Sequence, residues 1–180
     1  MNRISKVIAG TALVVCAASS QVKTVSAKTM SHPKTAASDR KYLTENAEGS
    51  VYDFATAEVA VQKAASRSVQ NYALQLLDDH ARLNKMMMVL ANKRGLTLPV
   101  TLAAKDKSGL MRLMKSSGAA FDRAYLKEAI RINADDVKQA QKELGATKDA
   151  EVKSVVADFL KTEQKHLQGA RTLLASMSKM

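Results

Sequence analysis

The chain has 180 residues and a formal net charge of +11, enough for one domain with appendages. Two prolines, no tryptophan and 4% aromatics argue against a sheet protein, and the abundant Ala, Leu, Lys, Gln, Glu and Met favour helices. The positive charges are dispersed along helices without interleaved aromatics, which excludes a nucleic-acid stripe and leaves a solvated polar face. The sharper alternative is weak association with anionic envelope surfaces, lipid or polysaccharide.

The N-terminus opens with the basic run Met1-Asn2-Arg3-Ile4-Ser5-Lys6, followed by a short apolar stretch from Val7 to Ala18. That stretch is too short to span a bilayer and suits a signal peptide, with Val25-Ser26-Ala27 as the small residues before cleavage. Cleavage after Ala18 and a lipoprotein route at Cys16 are the alternatives; Val15 disfavours the second, because that peptidase requires Gly, Ala or Ser there. Removing residues 1–27 takes away Cys16, the single cysteine, and with it disulfide and thiol chemistry. Three of the 28 basic residues leave with the leader, so the remaining 25 against 17 acids give +8. No transmembrane span is expected after signal removal, and the expected location is the periplasm or the medium.

Residues 28–38 are polar, include Pro33, and read as a disordered tail. A bundle domain is expected over residues 39–178. Its first long helix starts near Asp39 as N-cap and runs to about Ala65, with Ser66-Arg67-Ser68 as the turn. The second runs from about Val69 to Arg94 and stops at Gly95. Leu96 to Ala103 is a loop, and Lys105 to Lys115 is a short helix at most. The third long helix runs from about Ala119 to Gly145, and Asp149 caps the fourth.

Each long helix carries a seam of alternating four- and three-residue steps, the pattern of bundled helices. The seams are Ala47-Val51-Phe54-Glu58-Val61-Ala65, then Val69-Ala73-Leu76-His80-Leu83-Met87-Leu90, then Leu126-Ile130-Asn133-Val137-Ala140-Leu144, and last Val152-Val156-Phe159-Glu163-His166-Ala170-Leu173-Met177. Two hairpins joined by one long crossover predict an all-α, ferritin-like four-helix bundle.

Each seam is broken by polar residues, Glu58, His80, Asn133, and Glu163 with His166, at comparable heights. Polar groups inside a bundle must satisfy one another or hold something. His80 and His166 with Glu58 or Glu163 make chemical sense as a mononuclear site for Zn²⁺, Fe²⁺ or Cu²⁺. Di-iron bundles take a Glu from two helices and Glu-x-x-His from the other two. Glu163 to His166 fits that motif, but Leu77 stands three residues before His80, and Glu128 serves only if the third helix is rotated. The alternative is a hydrogen-bonded core network in which carboxylates satisfy the imidazoles. Met86-Met87-Met88 with Met111 and Met114 suggest soft Cu(I) ligands, though Met87 on the seam reads as a gap-filler. Asp78-Asp79 and Asp135-Asp136 read as surface charges, because adjacent helical residues diverge by about 100°. No nucleophile–base pair or phosphate loop occurs, so no catalytic residue is assigned.

From Lys41 to Ser176 the chain resembles the exported ferritin-like family known as domain of unknown function 4142, labelled outer-membrane or periplasmic proteins. The resemblance rests on Glu58, Asp79-His80, Gly95-Leu96-Thr97-Leu98-Pro99, Phe121-Asp122-Arg123-Ala124-Tyr125, and His166-Leu167 followed by Ala170. It implies a bundle, an envelope location and ferritin-like ancestry, with no activity attached. The chain departs from the family pattern at Asn133, where a histidine is expected, and at Lys161, where a proline is. Three functions stand on these residues. One is a non-enzymatic envelope bundle with a degenerate metal site, another a metal-binding or redox stress protein, and the third a partner-binding module docking through its basic surface.

Overall fold

The computed structural model describes residues 34–178. The leader expected over residues 1–27, and the tail up to Pro33, lie outside the described residues.

Among the described residues five helices follow in chain order: α1 (Ala37–Lys63), α2 (Arg67–Lys93), α3 (Ala104–Lys115), α4 (Gly118–Ala146) and α5 (Ala150–Met177). The four long helices have 27–29 residues and so run about 40 Å. α1 packs on α2 and α4 on α5 as hairpins, the hairpins meet along α1–α4 and α2–α5, and the crossover helix α3 lies against α1 and α4. This is the four-helix bundle with a helical crossover that the seams and connection lengths predict.

The helix ends follow from local chemistry. Gly95 takes φ 64°, a conformation costly for a residue with a Cβ. Beyond it, Leu96 N–H donates to Ala91 O (2.9 Å) and Gly95 N–H to Asn92 O (3.1 Å), a Schellman closure of α2. Asp149 caps α5, its Oδ1 accepting from Glu151 N (2.9 Å) and Val152 N (3.1 Å). Arg94 then clamps the end of α2 to the start of α5, with Nη2 2.6 Å from Asp149 Oδ2 and 2.9 Å from Glu151 Oε2.

At its start α1 corrects the sequence reading. The helix begins at Ala37 with Ala36 as N-cap and no side-chain cap bond, so Asp39 is a first-turn residue. Its carboxylate is buried and faces Glu143 of α4. Burial, with the hydrogen bond and charge of Asp39, pushes the Glu143 carboxyl up to about 7 from an ordinary 4.5, against the opposing pull of Lys142. The folded state thus keeps a proton that the unfolded chain releases, and this contribution to stability is full below pH 4.5 and lost as pH rises through 7. Glu143→Gln is expected to melt above wild type at pH 8, with the advantage gone at pH 4. Parallel melting curves showing the same difference at both pH values would refute the buried carboxyl pair.

The core has two apolar halves. One, near the α1–α2 turn, gathers Leu76, Phe121, Tyr125 and Leu126; the other, towards the α4–α5 turn, gathers Leu43, Leu83, Met87, Val156 and Phe159. A buried polar layer of Ser50, Asp53, His80, Asn133, Glu163 and His166 separates them. The seams of α2 and α5 are buried as predicted from Val69 to Leu90 and from Val152 to Ala170. The seam of α1 is not. Its buried stripe is Leu43, Ala47, Ser50, Asp53, Ala57, Ala60 and Ala64, mostly one residue earlier than predicted and so turned by about 100°. Val51 and Phe54 instead line a groove with Leu98, Pro99 and Val100 of the crossover, and Glu58 sits exposed on its rim.

Candidate metal centre

His80 on α2 and Glu163 and His166 on α5 converge in the polar layer, all at 1–2% exposure. One ligand atom from each lies within 4.8 Å of the others. Glu163 stands between the imidazoles: Oε1 is 3.7 Å from His80 Nε2, and Oε2 is 3.6 Å from His166 Nδ1. Both separations exceed a hydrogen bond. Carboxylate and imidazoles therefore do not satisfy one another, and His80 Nε2, His166 Nδ1 and Glu163 Oε2 are all buried without a hydrogen-bond partner.

The outer nitrogens, in contrast, are held. Ser50 Oγ donates to Asn84 Oδ1 (2.7 Å), so it accepts from His80 Nδ1 at 3.2 Å. His166 Nε2 donates to Asp79 Oδ2 (3.0 Å). These bonds put the ring protons on the outer nitrogens and leave a lone pair on each inner one, the arrangement that orients histidine ligands in metal sites. Burial lowers the His80 pKa, and the nearby His166 adds to this against the pull of Glu163, so the ring is neutral and able to donate electrons. Burial alone raises the Asp79 carboxyl, but the hydrogen bond from His166, with Lys165, holds it below its ordinary value.

The four residues singled out in the sequence part company here. His80, Glu163 and His166 meet; Glu58 is exposed and turned away from them. The α1 carboxylate that reaches this layer is Asp53, five residues earlier, and α4 contributes Asp136. Asp79 and Asp136 are thus not the surface charges expected: one orients His166, and the other faces the core. Burial and repulsion by Glu163 and Asp135 push Asp136 up to about 8, and burial with the charges of Asp136 and Glu163 drives Asp53 well above the carboxylate range. No hydropathy signal reveals either residue: Asp53 shares its helix face with Gly49, Ser50, Thr56 and Ala57, and Asp136 stands next to Asp135. Asn133 is buried beside the centre, its Nδ2 donating to Ala129 O (2.6 Å) and Tyr72 Oη (3.4 Å), while Tyr72 Oη donates to His166 O (3.1 Å). Glu128 lies on the outer face, bonded to Tyr52 Oη (2.9 Å) and Arg131 Nη2 (2.7 Å). Met88, Met111 and Met114 are exposed and Met87 fills the core, so the methionines form no common site with the histidines.

The chain belongs to the family described as Domain of unknown function (DUF4142), whose model matches residues 24–173. No curated protein matches it. Among solved structures it is similar to the crystal structure of a DUF305 fragment from Deinococcus radiodurans, with TM-score 0.72 and 13% identity over 80% of this chain and 99% of that one. At that identity the likeness establishes the shared bundle fold alone.

Proposed function

We propose that this member of the DUF4142 family is an envelope metal-binding protein that holds a divalent transition-metal ion at His80, Glu163 and His166. One observation carries the reading: three buried ligand atoms point at a common volume, each without a hydrogen-bond partner. Leaving a buried polar atom unpaired costs about 1–3 kcal/mol, so three together call for an occupant. Two neutral imidazoles and a carboxylate suit Zn²⁺, Fe²⁺ or Cu²⁺, and three protein ligands leave each of these ions a position for a further ligand. A bound ion would supply Lewis-acid or redox chemistry. The protein's own part is to fix the imidazoles through Ser50 and Asp79 and to keep Glu163 dry. The charged, apolar and small-residue pattern of residues 1–27 supports an envelope location. No helix among the described residues is long and apolar enough to cross a membrane.

Untagged protein recovered from the cell envelope should begin at Lys28 by intact mass and carry a transition metal by elemental analysis. Recovery with Met1 intact from the cytosol would defeat the location. In calorimetric titration with Zn²⁺, His80→Ala and His166→Ala should each weaken binding at least about tenfold, or 1.4 kcal/mol. Asp79→Ala, which removes only the orienting bond, should cost about 10–100-fold. Equal Zn²⁺ affinity in wild type and both histidine variants would eliminate this site.

A further inference from the structure

Besides the face that enters the bundle, α1 has a second apolar face. Val51 and Phe54 on it, Met87 and Met88 on α2, and Leu98 and Pro99 of the connection to α3 wall a groove of about 370 Å³. Pockets that bury small organic ligands have about 300–1,000 Å³. Apolar side chains that meet normally close to crystal-like density and leave few voids larger than water. Here the connection stands off from α1 instead, and Pro99, whose ring fixes φ, stiffens the wall it forms. Met88 (52% exposed) and Val100 (74% exposed) mark the mouth.

The charge of this groove is opposite to that of the chain. Its polar lining residues are Ser50, Asn84 and Glu58, with no lysine or arginine. Ser50 Oγ donates to Asn84 Oδ1 (2.7 Å) and accepts from His80 Nδ1, so Glu58 is left as the charged group of the groove. Its carboxylate is exposed and has no ion pair or hydrogen-bond partner among the described residues. The residues one turn away on α1, Phe54, Ala55, Val61 and Gln62, carry no charge. An unpaired carboxylate therefore stands at the rim of an apolar groove, in a chain whose net charge is +11.

We propose that the groove between α1, α2 and the α2–α3 connection binds a lipophilic ammonium ion, its alkylated nitrogen at Glu58 and Phe54 and its apolar chain along Val51, Met87 and Leu98. Phe54 lies one turn before Glu58 on the same face, so ring and carboxylate flank one position. The carboxylate attracts a cation by charge, and the ring attracts it through its quadrupole. An alkylated ammonium suits this pair, because it lacks the strongly hydrated N–H groups of a lysine-like ammonium. The two methionines are unbranched and polarisable, and adapt to the shape of an alkyl chain. A fatty carboxylate, in contrast, would meet Glu58 with like charge and find no cation lining the groove. This site is separate from the histidine centre and does not depend on a metal being bound there.

The test titrates the full chain calorimetrically with octyltrimethylammonium, octanoate and octanol, which share one alkyl chain. One octyltrimethylammonium per chain is expected, bound at least about tenfold more tightly than either of the others. A net charge of +11 attracts the anion over the surface at large, so a preference for the cation arises in the groove. Glu58→Gln should bring the cation down to the affinity of octanol and leave octanol unchanged. Ala55→Phe, which fills the groove from α1, should weaken all three. Octanol or octanoate bound as tightly as the cation would overturn the ammonium assignment. Absence of saturable cation binding, or an unchanged affinity in Glu58→Gln, would overturn the site. A dimer in sedimentation that Ala55→Phe dissociates would place a second copy of the chain in the groove and also overturn the proposal. Glu58→Gln alters an exposed side chain, so the answer stands even if Ala55→Phe fails to fold.

Discussion

Phe159→Ala is expected to destabilise the protein by about 3–5 kcal/mol. Phe159 is 1% exposed, packs in the half-core with Leu83 and Val156, and also forms one wall of the cavity beside His80 and Glu163. Removing it opens a hole that the helices cannot close without shifting the polar layer. Phe54→Ala makes the informative comparison. Sequence periodicity puts both phenylalanines on seams, but Phe54 is half-buried in the α1–crossover groove and should lose markedly less. Urea unfolding of the two variants gives the answer directly. Equal losses would mean that α1 is rotated as the periodicity predicts, and a loss below about 1 kcal/mol at Phe159 would misplace α5.

Asp122→Ala should cost about 3 kcal/mol, for a different reason. The turn between α1 and α2 has no cap of its own: Ser66, the N-cap of α2, makes no side-chain cap bond. Its backbone is satisfied from another helix, with Asp122 Oδ1 accepting from Ala65 N (2.9 Å) and Oδ2 from Ser66 N (2.8 Å). The carboxylate is 1% exposed, and truncation removes both of the charge-assisted bonds that hold this turn. It also removes a negative charge from the positive end of α2. Asp122→Asn, which keeps one acceptor oxygen, should recover part of the loss. If the alanine variant unfolds within error of wild type, the bond between the two hairpins at this end is not structural.

Much of this architecture is legible without coordinates. The seams of α2 and α5 contrast large apolar residues with charged ones, so their buried faces are written in hydropathy alone, and His80, Glu163 and His166 stand out as interruptions. Gly95 and Asp149 mark helix ends through conformational freedom and capping chemistry, which act within a few residues. The lengths of the connections select the hairpins and the crossover.

What the sequence could not decide is the rotation of α1, and with it the carboxylates of the centre. From its middle onward, the side of α1 that enters the bundle is Ala47, Ser50, Asp53, Ala57 and Ala60, small or polar residues with little hydrophobic contrast. The larger residues of the predicted seam, Val51 and Phe54, face the groove bordered by Leu98, Pro99 and Val100. Periodicity registers the stronger apolar stripe and selects that face, which places Glu58 in the core and leaves Asp53 unnoticed. Asp79 and Asp136 escape for a related reason: adjacent acids on a helix look alike in sequence, and only the packing of a second helix turns one inward. A helix's own residues determine that it forms and that it has an apolar side. Which side meets its neighbours, and which carboxylates meet there, is settled by the elements that cover it.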